Sequence, residues 1–257
     1  MSTKKRLAVN KTYKLYLGGK FPRTESGRYY ELNGRKGALL ANVSRASRKD
    51  FRNAVVAARK AWPGWDGATA HLRGQILYRV AEILEGRSEQ FEEELRAQGT
   101  TPAAARKEVT TAIDLLVHYA GWTDKYQSLF SSVNPVSSPY FNFSMPESTG
   151  VVAAIAPEES GLLGLCSVIA PILAGGSTSV ILASHTRPLC AITLAEVLNS
   201  SDVPGGVVNI LTGFRDELLS QFAEHMDVNA LLICSDDEKE IKLVQERAVE
   251  NLKRVIS

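Results

Sequence analysis

The sequence contains few cysteines, no long apolar run and no excess of one charge. Its three cysteines, Cys166, Cys190 and Cys234, are spread over 257 residues, and each stands in an apolar segment. This spacing predicts reduced core thiols and argues against a disulfide framework or a metal site, so a cytoplasmic location is expected. No apolar stretch reaches the ~20 residues that a membrane helix needs. The basic residues 1–14 lack the apolar core of a secretory signal.

The near balance of charges argues against a nucleic-acid partner. The 30 basic and 28 acidic residues give a formal net charge of +2. The basic residues are scattered without interleaved aromatics, so no nucleic-acid partner is expected. The 44% hydrophobic and 23% charged fractions are ordinary for a soluble globular protein. At this length the chain can bury one large core or two small ones.

A hairpin and helices are predicted in residues 1–134. The run 13–21 alternates around Gly18-Gly19, a pair suited to a two-residue turn with positive φ. Apolar residues at helical spacing then follow four candidate helix starts, at Ser47, Thr69, Ser88 and Thr101. The first of these helices is expected to break at Pro63-Gly64, because proline lacks the backbone donor that a helix interior needs.

Strands and helices alternate regularly in residues 150–257. Val151–Ile155 and Thr178–Leu182 are short apolar runs that flank an apolar helix over about 160–174, which predicts a βαβ unit. The alternation continues through predicted strands at 206–211 and 229–233, helices near 188, 216–224 and 236–250, and a last apolar stretch at 255–257. We therefore expect a doubly wound α/β domain with a mostly parallel sheet, which binds nucleotides at the carboxyl ends of its strands.

Several motifs of this half resemble the coenzyme domain of the NAD(P)-dependent aldehyde dehydrogenases. They are G-V-V-x-x-I-x-P from Gly150, P-x-L-A-x-G from Pro171, V-P-G-G-V-V-N from Val203, Thr212-Gly213, and N-L-K-R-V from Asn251. The resemblance implies a Rossmann-like coenzyme domain in three parts. These are an N-terminal hairpin and helical layer (1–134), a protruding oligomerisation arm strand (135–149) and a Rossmann-like βαβ part (150–257).

The same resemblance implies that no catalytic domain is present. In the family, the Lys-Arg-Val motif is followed by Glu-Leu-Gly-Gly, whose glutamate is the general base, and the nucleophilic cysteine lies further on. This sequence ends at Ser257, before both, and none of its three cysteines stands in the context of the nucleophile. The chain is therefore expected to lack the residues for aldehyde oxidation on its own.

The positions that resemble the family's oxyanion and ribose contacts carry unsuitable side chains. Glu158 and Glu159 stand where the family has a Trp-Asn pair whose amide helps to hold an oxyanion, and a carboxylate repels an oxyanion. Leu182 and His185 stand at the Lys and Glu that grip the adenosine ribose. Leucine cannot donate a hydrogen bond, whereas histidine can, so a degenerate nucleotide contact and a surface histidine both remain open at His185.

The turn that resembles the family's phosphate-binding Gly-Ser pair is the sharpest departure. Ser235-Asp236 replaces that pair, and Glu240 replaces a second glycine. Residues 235–238 instead fit a capping box, which would fill the positive end of the helix with its own carboxylates. A pyrophosphate about 4 Å from one carboxylate meets ~4 kcal/mol of repulsion at an effective dielectric of about 20. No cofactor is therefore expected, and NAD(P) only if the degenerate site still binds it.

The segment before the first βαβ unit predicts a partner-facing strand. Turn residues open it, and Tyr140, Phe141, Asn142, Phe143 and Ser144 follow before Pro146. In the family that it resembles, this position holds an arm strand that joins a neighbouring subunit. The alternative is an edge strand on the chain's own sheet. An exposed aromatic edge strand is an aggregation hazard unless something pairs with it, which favours the arm as an interface.

Three functional hypotheses follow. The chain resembles the degenerate second copy of the family-sixteen aldehyde dehydrogenases at Pro22, the 57–65 stretch, Pro157-Glu158 and the 251–253 tail. That predicts a non-catalytic subunit, a pseudoenzyme, that assembles with a full-length aldehyde dehydrogenase or with itself. The first alternative is an NAD(P)-dependent aldehyde dehydrogenase component whose active site another chain completes. The second is a structural protein that self-assembles through residues 140–144.

Overall fold

A glycine turn and a hairpin open the part of the chain that the structure describes. The computed structural model describes residues 11–34 and 37–257. Leu17 and Lys20 exchange backbone hydrogen bonds of 2.9 and 3.0 Å around Gly18-Gly19, whose φ angles are 58° and 76°, so the predicted turn is confirmed. An antiparallel hairpin follows, formed by β1 (Tyr29–Asn33) and β2 (Leu39–Ser44), which the sequence pattern did not predict.

Helices fill most of the next 90 residues, as predicted. They are α1 (Arg48–Asp66), α2 (Ala70–Gly86), α3 (Ser88–Ala97), α4 (Pro102–Trp122) and the short α5 (Tyr126–Phe130). Three predicted N-caps are confirmed, because the side chains of Ser47, Thr69 and Thr101 accept backbone amide hydrogens in the first turns of α1, α2 and α4.

Two predicted helix boundaries are wrong. Pro63 does not end α1, which continues to Asp66 because the next turn is held by tertiary packing. Trp65 is 1% exposed, and its indole Nε1 donates to the Leu173 carbonyl at 3.1 Å. Ser88 does not cap α3 but is its first residue, since α2 ends only two residues earlier and Arg87 takes the cap position.

A short two-stranded hairpin stands between the helices and the central sheet. β3 (Ser132–Val133) pairs antiparallel with β4 (Phe143–Ser144), and β4 is not a member of the central sheet. Residues 140–144 are all exposed, with Tyr140 at 77% and Phe141 at 75%. The structure therefore leaves the predicted interface residues open to solvent. Their role as an arm over 135–149 stays a prediction.

The second half forms a five-stranded parallel sheet in the order β7-β6-β5-β8-β9. The strands are β5 (Val151–Ile155), β6 (Thr178–Leu182), β7 (Val208–Leu211), β8 (Ala230–Ile233) and β9 (Arg254–Ile256). They alternate with α6 (Leu163–Ala174), α7 (Leu189–Asn199), α8 (Arg215–Glu224) and α9 (Glu238–Ala248). The N-terminal segment extends this sheet, because Tyr16 forms an antiparallel bridge with Ile210 of β7.

Helices cover both faces of the sheet, which confirms the doubly wound α/β fold. Ala154 of β5 belongs to one apolar cluster, to which α2, α4, α6 and α7 also contribute. Ala153 and Ile155 belong to a second cluster, to which α1, α8 and α9 contribute. This alternation along β5 follows from the two-residue period of a strand. The N-terminal helices thus form layers of the same core as the βαβ part.

In the described ranges, no helix combines the length and the apolar character that a membrane crossing requires.

Candidate functional site

The predicted site residues converge on one edge of the sheet. Because the strands are parallel, the loops that follow β5, β6 and β8 emerge at the same side. The chain passes from β5 through α6 to β6 on one flank of β5, while β8 lies on the other flank. The crevice between the ends of β5 and β8 is therefore the topological switch point, where doubly wound folds bind their ligands. We call it the switch-point crevice.

Glu158 is a fixed carboxylate beside this crevice. Its Oε1 accepts hydrogen bonds from the Thr186 amide, the Thr186 hydroxyl and the Ser184 hydroxyl, each at 2.8 Å. Burial alone would raise the pKa of this carboxyl, but the hydrogen bonds outweigh it and hold the pKa below its usual value. A charged acceptor thus stands directly before Glu159, the position where the resemblance places an amide donor. The Ser184 and Thr186 hydroxyls already donate to Glu158, so neither is a free donor for a ribose.

The two predicted ribose positions, Leu182 and His185, differ in their exposure to solvent. Leu182 is fully buried in the core, so it offers no side-chain contact to a ligand. His185 is 38% exposed, and its Nδ1 lies 3.0 Å from Glu158 Oε1. Its ring packs against Phe214 with centroids 5.6 Å apart, and its backbone carbonyl accepts the Tyr30 hydroxyl at 3.2 Å. His185 therefore packs against Phe214 beside Glu158 and is not a free surface side chain, although its Nδ1 makes no hydrogen bond in the described residues.

The start of α9 differs from the predicted capping box. Asp237 is the cap, and its Oδ1 accepts from the Lys239 amide at 2.9 Å. Ser235 Oγ accepts from the Asp237 amide at 3.2 Å and donates to Glu240 Oε2 at 2.6 Å. Ser235 turns the chain before the helix, which moves the helix start two residues onward. The prediction of a Ser235 cap is wrong, but an acidic first turn is found, with Glu238 and Glu240.

Two predicted positions stay outside the cluster. Glu159 and Asp236 are both exposed. In the part of the chain that the structure describes, no hydrogen bond or ion pair joins either side chain to Glu158 or Glu240.

Arg215 links the cluster, and the sequence reasoning missed it. It is the first residue of α8, and its side chain is only 15% exposed. Its Nη2 donates to the backbone carbonyls of Ala156 at 2.6 Å and Cys234 at 3.3 Å, just past the ends of β5 and β8. Its Nε lies 3.5 Å from Glu158 Oε2, and its Nη1 lies 3.4 Å from Glu240 Oε2. One guanidinium therefore spans the switch-point crevice.

This geometry corrects the electrostatic expectation. The sequence suggested unpaired carboxylates that crowd a coenzyme seat. In the structure Arg215 lies between Glu158 and Glu240 and offsets one of their two charges. The available signal was a lone arginine before Asp216-Glu217 at the start of a helix that follows a strand. No motif marks such a residue, because its partners come from two other loops.

The carboxylate of Glu108, a second residue that the sequence reasoning missed, lies at the N-terminus of α6. Glu108 of α4 accepts through Oε1 from the Leu162 amide at 2.9 Å, the Leu163 amide at 3.2 Å and the Ser160 hydroxyl at 2.9 Å. The start of a helix attracts anions, and here a carboxylate of the same chain is that anion. The first turn of α6 is thus already satisfied from within the domain.

The cysteines are not activated as nucleophiles. Cys166 and Cys190 are fully buried, and burial raises the pKa of the Cys166 thiol to about 12. Cys234, at the end of β8, is half-buried, and burial raises its pKa as well. A raised pKa keeps a thiol protonated, and the thiolate is the nucleophile. Within residues 11–34 and 37–257, no group of three or more His, Cys, Asp or Glu side chains is placed to hold a metal ion.

The network predicts a contrast between two adjacent glutamates. Glu158→Gln should lower the free energy of unfolding by about 1–2 kcal/mol at pH 7, because it removes the charge from three hydrogen bonds. Since the folded-state pKa of Glu158 is lowered, its stabilisation is present above the unfolded pKa and lost as the pH falls through the folded pKa. The difference from wild type in urea unfolding should therefore shrink below about pH 4.

The matched control for that measurement is Glu159→Gln. Its exposed side chain should change stability by less than about 0.5 kcal/mol at either pH. Equal losses in the two variants, or a Glu158→Gln loss that stays undiminished at pH 3, would contradict the network.

Comparisons with known proteins agree with the fold and place the chain in a family. The sequence model described as "Aldehyde dehydrogenase family" matches residues 21–257. The mouse cytosolic 10-formyltetrahydrofolate dehydrogenase is 31% identical over 258 residues, which cover 98% of this chain and 28% of the relative. An aldehyde dehydrogenase of Aspergillus niger is 30% identical over 244 residues, which cover 94% of this chain and 48% of the relative.

Solved structures show the same scaffold. An NAD⁺ complex of an aldehyde dehydrogenase from Bacillus cereus superposes with a TM-score of 0.90 at 26% identity. PnpE in complex with nicotinamide adenine dinucleotide superposes with a TM-score of 0.91 at 28% identity. Each superposition covers 95% of this chain and 50% of the other. The chain spans about half the length, or less, of the relatives that it matches, and it belongs to the aldehyde dehydrogenase family.

Proposed function

We propose that this chain acts as a non-catalytic aldehyde-dehydrogenase-like subunit, a pseudoenzyme of the kind seen in the degenerate second copy of family-sixteen enzymes. The observation that carries the proposal is the state of Glu158. Its carboxylate is charged, is held by Ser184 and Thr186, and stands next to Glu159, which takes the position where family chemistry needs a hydrogen-bond donor. Two adjacent carboxylates after Pro157 oppose a developing oxyanion and do not stabilise it.

Two further observations support a loss of coenzyme binding. The first turn of α9 carries Glu238 and Glu240, so a pyrophosphate approaching that helix end meets like charge. Leu182 is buried and cannot grip a ribose. The scaffold itself is intact, since 95% of the chain superposes on relatives that were solved with NAD. Residues that fold the domain survive while those that hold a ligand have changed.

The proposed partner is a full-length aldehyde dehydrogenase subunit or a second copy of this chain, and the proposed contact is the β3–β4 hairpin. β4 pairs on one side with β3, which leaves its other edge without a strand neighbour in the described structure. Phe141 and Phe143 lie on this hairpin with ring centroids 5.5 Å apart, and both are exposed. An aromatic hairpin with an open edge favours pairing with another chain.

The alternative function is an NAD(P)-dependent aldehyde dehydrogenase component that another chain completes. The observation in its favour is His185, a partly exposed donor near the switch-point crevice on a scaffold shared with NAD complexes. In that case coenzyme binding should be measurable on this chain alone, whereas the pseudoenzyme needs none.

A calorimetric titration separates the two functions. We expect no saturable heat with NAD or NADP up to about 1 mM, which corresponds to binding weaker than about 4 kcal/mol. We also expect no NADH formation from a panel of aldehydes, because the cysteine thiols are buried or have raised pKa values. A full-length family member serves as the positive control. A micromolar Kd, or NADH produced by the purified chain, would refute the pseudoenzyme.

A charge placed on the hairpin tests the assembly. Phe141→Asp should weaken self-association, or association with a catalytic family member, at least about tenfold, because it places a carboxylate in an apolar contact. Tyr78→Asp is the control, since Tyr78 of α2 is also exposed, at 58%, but lies outside the hairpin. The readout is molar mass by light scattering across a dilution series. An unchanged mass for Phe141→Asp, or an equal loss in both variants, removes the hairpin from the interface.

A further inference from the structure

Arg215 occupies the place that a ligand takes in other doubly wound folds. Such ligands lie outside the carboxyl ends of the strands at the switch point. Here the Ala156 and Cys234 carbonyls, just past β5 and β8, both accept from Nη2 of Arg215. Because the side chain is 15% exposed, the guanidinium lies inside the crevice and not on its rim.

The donors of Arg215 are directed at its own chain. A guanidinium carries five N–H groups on three nitrogens. In this structure Nη2 serves two carbonyls, Nη1 faces Glu240 and Nε faces Glu158. Glu240 is fixed in turn by the Ser235 hydroxyl at 2.6 Å, and Glu158 is fixed by three hydrogen bonds. Each of the three nitrogens therefore already faces an acceptor that the fold positions.

We propose that Arg215 is an internal plug that excludes nucleotide phosphates from the switch-point crevice, and that removing it together with the Glu240 charge opens a site for adenosine phosphates. The proposal deepens the proposed function, because it rests on that function for the view that the crevice is a former coenzyme seat. Arg215 is the side chain that closes the switch-point crevice. Neither Glu158 nor α9 closes it alone.

The opposite role for Arg215 would be that of a phosphate ligand. Arginine is well suited to phosphate because its planar fork matches two oxygens. In this crevice, however, a phosphate would have to displace two carbonyls and enter between two carboxylates. The contacts therefore favour a plug, and the test below has different outcomes for the two roles.

The experiment compares variants of the whole chain by calorimetric titration with ADP and NAD. Arg215→Ala combined with Glu240→Gln removes the plug and one carboxylate charge. Glu240→Gln alone keeps the plug. Arg45→Ala is the matched control, because Arg45 also pairs with a carboxylate, that of Glu217 on α8, while its side chain packs on Phe214.

The plug predicts a gain of binding in one variant only. Wild type, Glu240→Gln and Arg45→Ala should all show a Kd weaker than about 1 mM, whereas the double variant should bind at least about tenfold more tightly. A double variant that binds no better than Glu240→Gln overturns the plug and leaves the proposed function standing. Wild-type binding that Glu240→Gln keeps and the double variant abolishes would make Arg215 a ligand contact, which overturns both. Wild-type binding that the double variant tightens supports the plug and overturns only the proposed function.

A milder variant covers the case in which the alanine substitution prevents folding. Arg215→Gln retains a side-chain N–H donor but is shorter and uncharged. With Glu240→Gln it should give a smaller gain of ADP binding, of about threefold or more, with an unchanged circular dichroism spectrum. A folded Arg215→Gln and Glu240→Gln variant without any gain counts against the plug in the same way.

Discussion

Strand-end carbonyls and helix N-termini at the carboxyl edge of a parallel sheet need partners, and in this chain those partners come from within the domain. Strand-end carbonyls and helix N-termini converge at that edge, and they are costly to bury without hydrogen bonds. Arg215 serves the Ala156 and Cys234 carbonyls. Glu108 serves the first turn of α6, and Asp237 serves the first turn of α9. At the edge where related folds admit a ligand, these backbone groups are satisfied by side chains of the same chain.

The strength of this network explains why a ligand would compete poorly. Removing one partner of a fully buried ion pair costs about 3–5 kcal/mol, because the other charge is left without a partner. Arg215 is 15% exposed and its two carboxylates about a quarter exposed, so that range is an upper bound here. A penalty of ~3 kcal/mol would correspond to about two decades of affinity, which sets the scale of the most that a nucleotide would have to recover.

The sequence predicts what depends on neighbouring residues. The caps at Ser47, Thr69 and Thr101, the glycine turn and the βαβ alternation are all local patterns, and the structure confirms them. The failures occur where distant contacts decide. Helix α1 continues past Pro63 because Trp65 is buried and hydrogen-bonds to Leu173. The two carboxylates that pair with Arg215, those of Glu158 and Glu240, lie 57 and 25 residues away along the chain. A single sequence contains no periodicity that would link Arg215 to Glu158. Their pairing therefore could not be predicted without the fold.

The most direct test of an internally satisfied edge is a crystal structure of the wild-type chain grown with several millimolar NAD. The account predicts that the Arg215 guanidinium remains between the Ala156 and Cys234 carbonyls and that the switch-point crevice holds no dinucleotide density. Pyrophosphate density over the first turn of α9, with Arg215 turned away from those carbonyls, would contradict it.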